Sequence, residues 1–218
     1  MFNNNSDNTQ SIAPDGMPFS QACENNKAPI LDVLQKELQE HTYVLEVGSG
    51  TGQHSVYFAP RLPHLQWQTS DVANNHPIIQ AWQNRYPAPN LHAPVAFDLT
   101  TDSIPSSTMG KPYDAVFTAN TLHIISWSLV QQLFILVGDS LPINGKLIVY
   151  GPFNENGRYT SASNRQFDIS LRQRDAGSGI RHKEDIIALA NAHHLTLITQ
   201  YQMPANNQIL VFQKVTAN

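Results

Sequence analysis

The sequence predicts an α/β protein built on a mostly parallel sheet with helices on both faces. Three observations predict it. Apolar strand-like runs alternate with helical periodicity from Tyr43 to Tyr150, a glycine cluster closes the first of these runs, and two strand-like runs joined by the turn-rich stretch QMPANN end the chain. At 218 residues with 41% hydrophobic residues, the chain can bury one large core. A single domain over residues 18–218 is expected, preceded by an irregular or disordered tail over 1–17.

The elements follow in order. Ile30, Leu31, Leu34 and Leu38 stand at helical spacing, with a helix read from about Asn26 and Pro29 in its first turn. Tyr43–Val47 is the first strand and His54–Ala59 opens the next helix. Strands follow at Leu65–Ser70, Ala93–Phe97, Tyr113–Ala119 and Lys146–Tyr150, with helices at Pro77–Arg85 and Ser126–Asp139. Residues 151–182 are rich in Gly, Asn, Ser and Arg and too long for an ordinary connection, so a partly helical, lid-like insertion over the site is expected there. Asp185–His193 reads as a helix, and Leu195–Tyr201 and Gln208–Val215 as strands. Their short connection requires an antiparallel pair, because parallel neighbours need a long crossover.

Composition excludes several classes of function. Thirteen Lys and Arg against seventeen Asp and Glu leave a formal charge of −4 with no basic run, so the footprint for phosphate neutralisation is missing and nucleic acid is not an expected partner. No apolar run reaches the ~18–20 residues of a membrane helix, so no membrane partner is expected. Cys23 is the only cysteine, so no intrachain disulfide is possible. The first ten residues lack a signal-peptide pattern, and the expectation is a cytoplasmic protein. Nine histidines are present without HExxH or a Cys pair, and His193 and His194, read as adjacent on a helix, point apart. No metal is expected.

The stretch VLEVGSGTG carries the functional signal. Gly48, Gly50 and Gly52 stand at the carboxyl end of the first strand, where open α/β sheets bind ligands and where glycine admits close backbone approach. The spacing is GxGxG, with Gln53 where a dinucleotide fingerprint has glycine, which weakens a pyrophosphate cradle. Glu46 precedes the turn, placed to orient its amides or to receive a cationic amine. Asp71 ends the second strand, where an acid accepts from both ribose hydroxyls, and Asp98 follows the third, placed for an adenine amino group. An adenosine carrying an amino acid suits these acids better than one carrying a pyrophosphate.

Through VLEVGSGTG, TSD ending at Asp71, FDL at Asp98 and YDAVFTAN, the sequence resembles the class I S-adenosylmethionine-dependent methyltransferases. A closer resemblance runs from about Phe19 to Lys214 through CENNKAPIL, TANTLHIISW, YGPFNENGRYTSASNRQFDISLRQRD, GIRHKED and MPANN. These motifs are similar to the family called domain of unknown function 938, relatives of the methyltransferase-like 26 proteins. The resemblance implies a Rossmann-like seven-stranded methyltransferase sheet in the order 3-2-1-4-5-7-6, with strand seven antiparallel, and S-adenosyl-L-methionine as cofactor. It implies cofactor contacts at Glu46, Gly48, Gly50, Asp71, Asp98 and Asn120, and the candidate set extends to Ser49, Gly52, His54, Val72, Leu99, Asn26 and Lys27. Asn25 stands where the family usually has arginine, so Lys27 becomes the candidate for the cofactor carboxylate.

For chemistry, a sulfonium methyl group needs mainly an aligned nucleophile and exclusion of water. His123 is the candidate base, three residues beyond Asn120. Trp127 is a candidate for packing on substrate or sulfonium, against the alternative of a core aromatic. Asn164, Asp168 and Arg172 recur at four-residue spacing and read either as acceptor contacts or, for the last two, as a solvated ion pair. The expected activity is methyl transfer to a small-molecule substrate. An NAD-dependent oxidoreductase and a non-catalytic cofactor- or partner-binding protein are the alternatives; Gln53 and the terminal hairpin argue against the former.

Overall fold

A computed structural model of the chain describes residues 11–12, 16–108 and 110–216. Among the described residues the main path of the central sheet has seven strands: β1 (Tyr43–Val47), β2 (Gln66–Asp71), β3 (Leu91–Ala96), β4 (Ala115–Ala119), β5 (Lys146–Asn154), β6 (Leu195–Met203) and β7 (Asn207–Lys214). They lie in the order β3-β2-β1-β4-β5-β7-β6. The first five are parallel, and β7 runs antiparallel to both β5 and β6. The 3-residue turn Pro204–Asn206 between β6 and β7 leaves no room for a crossover, which forces that last pairing.

Alternation along each strand divides the core between two faces. Leu45 and Val47 of β1 pack with Val130, Leu133, Phe134 and Val137 of α4 (Trp127–Ser140) and with Ile186 of α6 (Lys183–Ala192). Val44 faces the other way, among Ile30, Leu31 and Leu34 of α1 (Gln21–Glu37) and Phe58 of α2 (Gln53–Phe58). Each fully buried Leu or Ile contributes about 1.5–3 kcal/mol. α3 (His76–Arg85) lies along β3. Among the described residues no helix is long and apolar enough to cross a membrane.

The structure departs from the sequence reading in several places. Helix α1 starts at Gln21, five residues before the expected Asn26, because the Ser20 hydroxyl caps it by accepting from the Cys23 N–H at 3.3 Å. Pro29 is therefore internal and removes one helical hydrogen bond, which the buried run Ile30, Leu31 and Leu34 offsets. Of the expected tail, residues 1–10 and 13–15 lie outside the described residues, whereas Ser11–Ile12 pairs antiparallel with Pro18–Phe19. α6 ends at Ala192, so His193 is its cap and His194 takes a left-handed φ of 60° instead of continuing the helix.

The expected insertion at 151–182 is built from regular elements. Gly151–Asn154 extends β5, α5 (Ala162–Arg174) follows, and Arg181–His182 pairs in parallel with the end of β5. The segment is fastened to the loop after β4. The Gly179 N–H donates to His123 O at 2.9 Å, and Arg181 Nε donates to Leu122 O at 2.9 Å. Asp168, only 1% exposed, is its internal anchor: Oδ1 accepts from the Ile180 N–H at 2.7 Å, and Oδ2 accepts from Tyr159 Oη at 2.7 Å and Arg172 Nε at 2.9 Å. Burial alone raises a carboxyl pKa, and here these three donors outweigh it and hold Asp168 below its ordinary value. Replacement by alanine strands the buried Ile180 N–H and two side-chain donors, so Asp168→Ala is expected to destabilise the fold by roughly 2–4 kcal/mol in chemical denaturation. A loss below about 1 kcal/mol would contradict the anchor role.

Candidate functional site

The site grows from the turn between β1 and α2. Gly48 and Gly50 have φ of 72° and 59°, the left-handed region that glycine enters without strain. A Cβ on Gly48 would stand 3.0 Å from Thr121 Oγ1 in the loop after β4, whereas one on Gly50 would meet nothing within 4 Å. Gly48 therefore serves packing, and Gly50 borders open space. Four of the turn's backbone donors are spent internally. The N–H groups of Gly48 and Ser49 donate to Ser70 O at 3.1 and 3.0 Å, that of Gly50 to Asp71 Oδ2 at 2.8 Å, and that of Gly52 to Ser49 O at 2.8 Å. These four amides cannot also cradle a pyrophosphate.

Acceptors, in contrast, stand at three strand ends. Glu46 is 2% exposed, and its Oε2 accepts from Ser49 Oγ and Trp67 Nε1, both at 3.1 Å. Burial pushes its pKa up to about 7, against the opposing influence of His54, Trp67 and Ser49. Asp71 Oδ1 accepts from the Val72 N–H and Asn75 Nδ2, each at 2.8 Å, so with Gly50 three of its roughly four acceptor positions are filled. One acceptor position on Asp71 therefore remains open. Asp98 Oδ1 takes both the N–H and the hydroxyl of Thr100, which hold its pKa below the ordinary value. Val72 stays 41% exposed beside Asp71, an apolar surface at a polar cleft, while Leu99 packs partly into the core below.

Helix α1 packs beside the turn. Gln53, where a dinucleotide fingerprint has glycine, ties that helix down: its Oε1 accepts from the Ser20 N–H at 2.5 Å and from Thr51 Oγ1 at 3.0 Å. His54, stacked on Phe58, is buried, which lowers its pKa to about 4 although the nearby Glu46 charge opposes this. The ring is therefore neutral, and its Nε2–H donates to Asn26 Oδ1 at 2.6 Å. Cys23 and Tyr150 complete this buried polar group. Burial raises the Cys23 thiol and pushes the Tyr150 phenol up to about 12, so both keep their protons. Neither was singled out from sequence as a site residue. The only hint for Tyr150 was a polar-tipped aromatic at the end of an apolar strand. Lys27, the expected carboxylate ligand, pairs with Glu24 and lies 4.8 Å from the Tyr57 ring.

On the other side, Asn120 takes a left-handed φ of 57° directly after β4, and its N–H donates to Tyr150 O at 2.9 Å. His123 is 5% exposed, with its ring 5.3 Å from that of Phe167. Burial, then the charges of Arg181 and Arg174, lower its pKa to about 3, so it is neutral throughout the physiological range. Trp127 packs on the core and has the Arg181 guanidinium 5.9 Å from its ring centre. Arg172 belongs to the Asp168 anchor. Asn164 donates to Thr160 Oγ1 at 2.9 Å and to Asn206 O at 3.1 Å. The structure thus gathers Asn26, Glu46, Ser49, Gly50, His54 and Asp71 around the turn. The α5 residues instead brace their own segment. No group of three or more His, Cys, Asp or Glu side chains among the described residues is placed to hold a metal.

An open α/β sheet with an antiparallel terminal hairpin and acidic strand ends around a glycine turn defines the class I methyltransferase fold, and solved structures share it. Human N-acetylserotonin methyltransferase in complex with SAM superposes with a TM-score of 0.76 at 12% identity, over 90% of this chain and 53% of its own. An O-methyltransferase family 2 protein from Planctomyces limnophilus, in complex with apigenin, gives 0.77 at 16% identity, over 89% and 58%. An O-methyltransferase family protein from Burkholderia thailandensis gives 0.71 at 14%, over 88% and 57%. The chain thus spans a little over half the length of these proteins. Residues 17–214 match the family model described as Protein of unknown function (DUF938), and the chain belongs to that family.

Glu46 links the site to stability. Its folded pKa, about 7, lies above the ordinary 4.5, so between these values the folded state holds the extra proton. Stability conferred by that proton is full below about 4.5 and is lost as pH rises through about 7. Glu46→Gln is therefore expected to raise the melting temperature at pH 8 and to leave it nearly unchanged at pH 5. A lowered melting temperature at pH 8 would contradict the buried, strained carboxylate.

Proposed function

We propose that this chain binds S-adenosyl-L-methionine across the glycine turn and transfers its methyl group to a small-molecule acceptor. One observation carries the proposal: the amides of Gly48, Ser49, Gly50 and Gly52 are consumed by Ser70, Asp71 and Ser49, while carboxylates occupy the neighbouring strand ends. A cleft of acceptors suits a ligand of donors, namely an ammonium, ribose hydroxyls and an adenine amino group. It does not suit the pyrophosphate of NAD. Two fold neighbours, one in complex with SAM and one with SAH, support the same choice.

In this proposal Glu46 is the counter-charge for the ammonium, directly or through water, and Asn120 offers its backbone carbonyl to the same group. Asp71 accepts from one ribose hydroxyl, Val72 and Leu99 border the base, and Asp98 accepts from its amino group. Gly48, Ser49, Gly50 and Gly52 shape the turn, with Asn26 and His54 as a neutral hydrogen-bonded wall. S-adenosyl-L-methionine supplies, when bound, an electrophilic methyl group, so the protein's task is alignment and exclusion of water. His123 and Trp127 form the acceptor side near Asn120. The low pKa of His123 makes it a neutral hydrogen-bonding group there and a weak base. Asn164, Asp168 and Arg172 support that side through the loop that carries His123 O.

Calorimetric titration with S-adenosylmethionine, S-adenosylhomocysteine and NAD tests the proposal. Micromolar binding of the two sulfur nucleotides without NAD is expected, and the reverse would overturn it. Asp71→Ala is expected to weaken S-adenosylhomocysteine by roughly 1–3 kcal/mol through loss of a charge-assisted hydrogen bond and of the Gly50 tether. Unchanged affinity in a folded variant would remove the ribose assignment.

A further inference from the structure

The loop after β4 sets a neutral histidine among positive charges. Neither ring nitrogen of His123 has a hydrogen-bond partner among the described residues, and neither is sealed from solvent. A Cβ on Gly151 of β5 would stand 3.6 Å from His123 Nδ1, so glycine at that position leaves the nitrogen uncovered. The Phe167 ring, edge-on to the imidazole, forms the adjoining wall. His123 thus offers one N–H and one acceptor to a molecule in this space.

The charges that act on the ring are those of Arg181 and Arg174. Arg181 is locked behind the loop, where it donates to Leu122 O at 2.9 Å, to Gly177 O at 2.8 Å and to Ile125 O. Arg174 is available. Phe167, Leu171 and Arg174 share one face of α5 at i, i+4 and i+7. Arg174 Nε donates to Ser170 O at 3.4 Å, which turns the side chain back along the helix toward Phe167. The guanidinium is exposed and makes no ion pair among the described residues. Arg172, by contrast, is paired with Asp168, and Asp175 turns one oxygen to the Gly177 N–H at 2.8 Å.

Among the described residues this side also lacks a base. Three donors occupy the Asp168 carboxylate, and Tyr159 spends its hydroxyl on it. His123 takes up a proton only in acid, and Tyr150 and Cys23 keep theirs. A hydroxyl or an ammonium must lose a proton in the course of methylation, whereas a carboxylate is ionised at neutral pH without help. Resting on the methyl-donor reading above, we propose that the acceptor is a small carboxylic acid methylated on its carboxylate, with the His123 N–H donating to one oxygen and Arg174 supplying the counter-charge. The other oxygen forms a bond to the methyl carbon while the carbon–sulfur bond breaks and its electron pair stays on sulfur. Carboxylate and sulfonium charges cancel, giving a neutral ester and a neutral thioether with no proton released.

The test combines binding and turnover on the full chain, with benzoate, phenylacetate and hexanoate as acids and phenol, benzyl alcohol and benzylamine as controls. Saturation-transfer NMR is expected to detect at least one acid at millimolar concentration and none of the controls. Mass spectrometry of reactions with S-adenosylmethionine is expected to find the methyl ester of that acid. Arg174→Ala should weaken the acid's binding and lower its kcat/KM, each roughly tenfold, and Arg174→Lys should restore most of both. S-adenosylhomocysteine affinity should be unchanged in either variant. Absence of S-adenosylhomocysteine binding by the natural chain would overturn the methyl-donor reading and this proposal together. With that binding present, no acid bound or esterified, methylation of a control, or acid binding and turnover unaltered in Arg174→Ala would overturn this proposal alone. So would a lowered S-adenosylhomocysteine affinity in Arg174→Ala, which would place Arg174 against the methyl donor instead.

Discussion

Glu46 places a carboxylate inside the sheet, directly beneath the turn that gives the site its shape. A buried carboxylate is unfavourable unless its charge meets donors or an opposite charge. Here, among the described residues, only Ser49 and Trp67 donate to it, both to one oxygen, and burial leaves it half-protonated near pH 7. This arrangement is poorly compensated within the protein and well compensated by a cation. Strain of this kind at a strand end is what a site for a cationic ligand requires.

The rest of the cleft is arranged around that residue. Ser49 bonds to Glu46, and its hydroxyl also accepts from the Ser70 N–H at 3.2 Å, which joins β1 to β2. Asp71 holds Gly50, so the second strand sets the shape of the turn that follows the first. Gln53 fastens α1 over the turn through Ser20, and Asn26 on that helix accepts a hydrogen bond from the His54 ring N–H. Beside the turn stand groups whose protonation is fixed by burial: neutral His54, protonated Tyr150 and protonated Cys23. Glu46 is the member of this group whose proton is poised near neutrality.

Much of this was legible in the residues. GSGTG after an apolar strand, with Asp71 and Asp98 at the next strand ends, located the cleft, and the short QMPANN connection determined the direction of β7. Other features were hidden for physical reasons. Pro29 suggested a helix start, but the Ser20 cap and three buried aliphatic residues carry α1 through it. Gly151, Pro152 and Asn154 look like loop residues, yet β7 pairs with Gly151 and Pro152 and extends β5 past them. The four-residue spacing of Asn164, Asp168 and Arg172 was read correctly as one helical side. What it faces, Ile180, Tyr159 and Asn206, is set by tertiary contacts that no local pattern encodes.

Proton exchange on ligand binding tests the central coupling most directly. S-adenosylhomocysteine is titrated calorimetrically at pH 7 in buffers of different ionisation enthalpy, for the natural chain and for Glu46→Gln. An ammonium settled against Glu46 favours the ionised carboxylate, so the account predicts release of about half a proton per ligand bound by the natural chain and none by the variant. Binding with no proton released, or with equal release from both proteins, would contradict it.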